Sequence, residues 1–378
     1  MKIDTHANSD RPLAFGLYFF GSDEGGPQAS AQRRLLFESA RFADEHGFSA
    51  VWTPERHFHA FGGLSPNPSV MAAALAAITQ RVRIRSGSVV VPLHHPARLV
   101  EEWSMVDFLS DGRVDLGLAS GWFPNDFVLA PPGTYERRSE LVFDRVEDLR
   151  KLWSGDTFDA TNPLGDRVQL RTMPRPVQRT LPIWITAAGN PQTFRRAGTM
   201  GLNILTHLLG QSLEALSGKI ADYRQAWREA GHGGRGTVTL MLHTFVGEDD
   251  DEVREKVKAP MLRYLASSAN LVGNYTASVP FFQKQCAPSS AAITAGELND
   301  ALEFSFERYY ANSSLLGTMD ACLGMTDKLK AIEVDEVACL IDFGVGAEEV
   351  LAALPALDEL RQLAQISSAD ELEPAVVG

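Results

Sequence analysis

The feature that most constrains the fold is a strand-then-helix alternation repeated eight times along the 378 residues. Short runs rich in β-branched and aromatic residues are each followed by a longer stretch of helical period. Strands are expected at Leu13 to Phe20, Ser49 to Thr53, Val82 to Val91, Arg113 to Ala119, Pro182 to Thr186, Asn203 to Thr206, Val238 to Val246 and Val337 to Phe343. Helices are expected between them, with stops such as Gly47 and the Asp111–Gly112 turn. Eight strand–helix units with mostly buried strands predict an α/β chain folded as a closed parallel (β/α)8 TIM barrel.

Two segments break the repeat. Residues 155–176 are polar and punctuated by Pro and Gly, as in an inserted hairpin or loop. Residues 270–312 interrupt the seventh unit with Gly, Pro, Ser and aromatics before a helix near Glu297 to Tyr310. Insertions of that length on a barrel form lids or substrate loops, and Phe281, Phe282, Tyr309 and Tyr310 suit a lid. The expected organisation is one barrel domain over residues 1–366, with a flexible tail at 367–378.

Charge and cysteine usage narrow the partners. With 48 acidic against 35 basic residues the chain carries −13, which repels phosphate backbones and anionic lipid. Neither nucleic acid nor membrane is expected as a partner. Cys286, Cys322 and Cys339 are an odd number without CxxC spacing and read as free thiols of a reducing compartment. The opening residues lack an apolar signal core, so the expected location is the cytoplasm.

In such a barrel the chemistry lies just beyond the carboxyl ends of the strands. Strand two runs into WTPERHFHAF, placing Glu55, Arg56, His57 and His59 at the mouth. Strand five runs into TAAGNPQT, where Ala188 and Gly189 precede a helix opened by Asn190 and Pro191, with Thr193 in its first turn. Free N–H groups at a helix start can hold a phosphate, although a plain helix cap explains the same residues. Gly87 and Ser88 interrupt the bulky third strand, which marks either a close approach to a ligand or a tight packing point. His57 and His59 form an HxH pair, but metal-dependent barrel hydrolases generally put that pair on strand one and add ligands after strands four and five. Here those positions carry SGW and AAG, so no metal is expected. The glycines at 231, 233 and 236 spell GxGxxG between a helix and a strand, the reverse of the dinucleotide-binding order, and read as a turn.

Three longer segments, VWTPERHFHAFGGLSPNPS, SVVVPLHHPARLVEEWSMVDFLSDGRVDLGLASGW and LPIWITAAGNPQTFRRAGTMG, resemble the luciferase-like flavin-dependent monooxygenases and follow that family's order. LTHLLGQS, VTLMLHTFVG, FERYY and ACLIDFGV look like the branch associated with nonribosomal peptide and polyketide machinery. The resemblance implies a barrel of the bacterial luciferase type that binds reduced FMN at its mouth and uses dioxygen to oxygenate an organic substrate. That substrate would be small or tethered to a carrier protein. By motif position, Gly87 and Ser88 would face the flavin ring, with a non-prolyl cis peptide between them. Ser120, Tyr135, Ala188, Gly189, Asn190 and Thr193 would meet the ribityl phosphate. No second nucleotide domain follows, so a separate reductase would supply the reduced flavin, and the family implies a homodimer.

Single catalytic roles transfer less directly. Bacterial luciferase has a catalytic His where this chain has Arg56, and an Arg where it has Ser120. Alkanesulfonate monooxygenases pair a strand-seven His with an Arg two residues earlier. His243 is present here, but Met241 replaces the Arg, which speaks against a sulfonate. For the group that places a proton at the reacting oxygen, His57 comes first, with His207 and His243 as rivals and Arg56 as a stabiliser of anionic charge. Two other classes stay open: a non-catalytic flavin-binding paralogue or partner subunit, and a deazaflavin-dependent oxidoreductase on the same barrel.

Overall fold

The computed structural model describes residues 11–22, 28–273 and 295–365, with side chains described up to residue 267 and again from residue 300. Eight parallel strands close on themselves: β1 (Ala14–Tyr18), β2 (Ala50–Thr53), β3 (Arg83–Val90), β4 (Val114–Ala119), β7 (Ile183–Thr186), β8 (Asn203–His207), β9 (Val238–Gly247) and β11 (Glu336–Leu340). Closure is made by β1 against β11, with Ala14 opposite Glu336 and Tyr18 opposite Leu340, and by β8 against β9. All eight expected strands therefore take part in the barrel, in sequence order.

Around it lie α1 (Gln28–Glu45), α2 (Pro68–Ala76), α3 (Pro96–Ser110), α4 (Thr134–Ser154), α5 (Pro191–Thr199), α6 (Leu213–Glu229) and α7 (Asp250–Gly273). Local chemistry fixes their ends. Asn67 caps α2 by accepting from the N–H groups of Ser69 (3.0 Å) and Val70 (3.3 Å). The expected Asp111–Gly112 stop is a left-handed turn, with φ of 56° and 80° at the two residues. Among the described helices none is long and apolar enough to cross a membrane.

The insertion at 155–176 is an antiparallel hairpin of β5 (Phe158–Thr161) and β6 (Arg167–Leu170). In the second insertion, α8 (Ala295–Asn312) matches the expected helix, whereas Phe281, Phe282 and Cys286 lie outside the described residues. Beyond α8 the chain adds β10 (Leu315–Thr318) and α9 (Met319–Ala331), which the alternation had not revealed. β10 is only four residues long and contains Gly317 at φ 138°, so it lacks a period long enough to read. It pairs with the outer half of β9, Leu315 opposite Thr244 and Thr318 opposite Gly247. The last helix, α10 (Ala347–Gln365), packs beside α1.

The barrel floor is ionic. Arg85 donates to Asp115 (2.5 Å) and to both oxygens of Glu336 (2.8 and 2.7 Å), and its guanidinium lies 4.2 Å from the centre of the Trp184 ring. Thr239 and Ser49 also donate to Glu336, and Arg83 to Asp115. Burial alone would lower the Arg85 pKa, but the two carboxylates outweigh it and raise it. Charges removed from water persist only when paired in this way. The floor is thus filled by side chains, and the candidate site residues all lie at the opposite end.

Candidate active site at the carboxyl ends of the strands

The expected site residues fall on consecutive strands. β3 supplies Gly87 and Ser88, joined by a cis peptide as the resemblance implies. Ser88 shares a hydrogen bond with the Thr186 hydroxyl on β7, a residue the sequence reading had not singled out. The Tyr18 hydroxyl on β1 donates to the Gly87 carbonyl, so this peptide is held from both sides. Tyr18 is buried, and burial, reinforced by nearby Asp342, lifts its pKa far above the phenol value.

Directly beyond Thr186, the chain leaves the barrel through Ala187, whose N–H donates to Leu205. Ala188, Gly189 and Asn190 follow, all exposed, and among the described residues their three N–H groups have no partner. Asn190 then caps α5, its side chain accepting from Gln192 N (3.0 Å), with Pro191 at the first helical position. Thr193 N bonds the Asn190 carbonyl at 3.1 Å. The free donors therefore precede the helix rather than lying within its first turn. Such a run of outward N–H groups at the positive end of a helix is suited to an anion.

The neighbouring corner after β4 carries Ser120, half-buried, and Trp122, 41% exposed. Tyr135 donates to the Trp122 carbonyl at 3.2 Å, and Arg138 lies 4.0 Å from the centre of the Tyr135 ring. Ser120 and Tyr135 thus border one corner, beside the strand that leads to Ala188.

The four candidate catalytic side chains separate into two environments. Arg56 and His57 lie in the loop after β2, each tied to a carboxylate. Arg56 donates to Asp126 at 2.7 Å and packs against Phe123 and Trp122, at 4.4 and 4.9 Å from the ring centres. Its Nε and second amino group are buried without a partner. Burial lowers the Arg56 pKa and raises that of Asp126, in each case against their mutual attraction. His57 Nε2 lies 2.9 Å from Glu55 Oε1, and His94 Nε2 lies 2.8 Å from the same atom. Glu55 Oε2 accepts from Val90 N at 2.7 Å. Burial pushes Glu55 upward, but these hydrogen bonds outweigh it and hold the carboxyl below its ordinary range. His94 is raised because the Glu55 carboxylate outweighs its own burial.

His207 and His243 are different. His207 ends β8 with Nδ1 buried and unpartnered, and burial brings its pKa down to about 4. His243, on β9, is fully buried and both of its ring nitrogens lack a partner. The rings of Tyr264, Phe343 and Tyr309 surround it edge-on, with centroids at 4.4, 5.3 and 5.4 Å. Burial, with a smaller contribution from His207, brings His243 down to about 3, so both imidazoles are neutral. The Tyr309 hydroxyl is another buried group without a partner. This half of the mouth is closed by aromatic rings, whereas the side formed by β4, β7 and β8 keeps Ser120, Thr186, Ala188 and His207 within reach of solvent.

A closed parallel barrel with polar groups gathered at one rim defines an α/β-barrel enzyme scaffold. The chain belongs to the luciferase-like monooxygenase family, whose model matches residues 13–335. It is 26% identical, over 84% of its own length and 86% of the relative's, to the oxygenase component of a flavin-dependent trigonelline monooxygenase from Acinetobacter baylyi. It is 28% identical to 4-hydroxyprotoasukamycin monooxygenase from Streptomyces nodosus, over 60% of this chain and 62% of that one. Among solved structures it is similar to monooxygenase RslO1 from Streptomyces bottropensis (TM-score 0.72, 24% identity, 92% and 98% of the two chains). The oxygenating constituent of 3,6-diketocamphane monooxygenase from Pseudomonas putida, solved with FMN, shares the fold at TM-score 0.69 and 18% identity, over 96% and 99% of the chains. So does the coenzyme F420-dependent tetrahydromethanopterin reductase of Methanopyrus kandleri, at TM-score 0.66 and 15% identity, over 96% and 100%.

Proposed function

We propose that this chain is the oxygenase of a two-component system, taking reduced FMN from a separate reductase and using dioxygen to oxygenate an organic substrate. The observation that carries the reading is the row of three unpaired N–H groups at Ala188, Gly189 and Asn190, adjoining the Ser88–Thr186 contact. These amides would hold the phosphate, with Thr193, Ser120 and Tyr135 around it, and Gly87 and Ser88 would bound the ring. Bound reduced flavin supplies the electrons that activate dioxygen. The relative from Acinetobacter, named as an oxygenase component, supports the two-part arrangement.

His57 is the proton-handling residue of this reading. Its Nε2–H points to Glu55, which leaves Nδ1 as the lone pair able to accept or return a proton. Arg56, with two donors unspent, would offset negative charge developing nearby. His207 and His243 are neutral and would serve as hydrogen-bond donors toward the substrate. The relative named 4-hydroxyprotoasukamycin monooxygenase supports a natural-product substrate, which would be small or carrier-bound. Exposed Met105, Phe108 and Leu109 on α3 support pairing into a homodimer.

The test is anaerobic titration of the purified chain with reduced FMN, riboflavin and coenzyme F420. FMN is expected to bind at least about tenfold tighter than riboflavin, about 1.4 kcal/mol for the phosphate. NADH oxidation should require an added reductase. Preference for F420, or equal affinity for riboflavin and FMN, overturns the assignment.

A further inference from the structure

A cavity of about 290 Å3 opens beside the mouth, between the ends of β1, β2 and β11 and the inner face of α1. That volume is near the lower edge of small-molecule sites, roughly 300–1,000 Å3. Leu35, Leu36, Leu64 and Met71 give it an apolar wall, and two charged residues of opposite sign, Asp342 and Arg263, also line it. The other polar side chains of the lining are already engaged: Gln32 donates to Ser22 O at 2.6 Å and Ser65 to Pro54 O at 2.7 Å. Asp342 accepts from Phe20 N at 2.8 Å, but among the described residues no cation pairs with it and no anion pairs with Arg263. Burial lifts the Asp342 carboxyl to about 7 despite that hydrogen bond. Phe19, the residue after Tyr18 at the end of β1, also lines the cavity, and Tyr18 is the side chain that holds the Gly87 carbonyl.

We propose that this cavity binds an apolar ligand with a dipolar head, as in an aliphatic α-amino acid or its acyl derivative, the nitrogen meeting Asp342 and the carboxyl or carbonyl oxygen meeting Arg263. An opposite-charge pair that lines one apolar cavity without closing on itself is matched by a ligand bearing both complements, because charge-assisted hydrogen bonds can then form at both ends of its head group. As the substrate class of the oxygenase, this rests on the preceding reading; the binding itself does not.

Calorimetric titration of the flavin-free chain with L-norleucine, pentylamine and hexanoate separates the contributions. Norleucine should bind about tenfold or more tighter than either single-charge probe. Arg263→Met should reduce it to the level of pentylamine, and Asp342→Asn to that of hexanoate. Met71→Trp should weaken all three about tenfold or more by filling the cavity. Arg263 is exposed, so its variant tests the head group even if the Asp342 variant folds poorly. Equal binding of the three probes, no binding at millimolar concentration, or norleucine binding unmoved by Arg263→Met overturns the proposal. An FMN titration of the same samples reports the flavin reading independently, because Arg263 and Met71 lie outside the groups assigned to the cofactor.

Discussion

The Tyr18 hydroxyl reaches from β1 across β2 to the Gly87 carbonyl on β3, joining two strands that are not neighbours. Removing that donor leaves a buried carbonyl unpaired, at a cost of ~1–3 kcal/mol. Tyr18→Phe is expected to lower the unfolding free energy read from urea denaturation by this amount and to weaken FMN binding severalfold. Unchanged flavin affinity in a destabilised Tyr18→Phe protein would separate the peptide at Gly87 from the cofactor.

The Glu55 cluster carries an expected pH dependence. Glu55 sits below its ordinary pKa, so its contribution is full above the unfolded value and lost as pH falls through the lowered one. His94 is raised, so its contribution is full below ~6.5 and lost as pH rises through its folded value. The stability difference between the native chain and Glu55→Gln should therefore be largest in the weakly acidic range and decline on both sides. Thermal midpoints across pH measure this, and a flat difference would refute the coupling.

His243 works in the opposite direction. Its folded pKa of about 3 means the unfolded chain takes up the proton first, so stability falls as pH drops below ~6.5. At pH 5 the penalty is about 2 kcal/mol, at ~1.4 kcal/mol per unit. His243→Phe should remove most of that acid sensitivity while leaving the neutral-pH stability within about 1 kcal/mol. If His243 also donates to the substrate, the variant loses product formation without losing FMN affinity.

Arg85 neutralises two buried carboxylates at once. Arg85→Met should destabilise the chain by ~3–5 kcal/mol, because Glu336 then remains buried without its cation. Double replacement with Glu336→Gln should recover part of the loss, as urea unfolding would show.

Phe108 is 60% exposed on α3, beside exposed Met105 and Leu109. Phe108→Glu is expected to yield a monomer by light scattering with little change in FMN affinity. A native chain that is already monomeric would remove the homodimer from the reading.

Much of the fold was legible because the strand pattern is repeated: β3 and β9 are buried along almost their whole length, and their β-branched and aliphatic residues stand out between stretches of helical period. The Asn190–Pro191 cap was equally visible, since both residues carry their own local instructions. β10 was not, because four residues around a glycine hold too little pattern. Nor could spacing alone reveal the partners of the site. Arg56 and Asp126 lie 70 positions apart, and Ser88 and Thr186 lie 98 apart. Glu55 was seen as a rim residue, yet its role as the shared partner of two histidines emerges only when the ends of β2 and β3 are placed side by side.

β9 belongs to two structures at once. Its first half is a stave of the barrel, and its second half, from Thr244, is the beam on which β10 rests, with α7 beginning shortly beyond it. His243 is the last residue before that handover. The barrel helix α7 and the insertion helix α8 are thereby joined to the strand bearing this imidazole, and Tyr264 and Tyr309 extend from them to touch it. Any rocking of that outer layer has to be registered at His243, whose surroundings would report it as a change in ring-current shift.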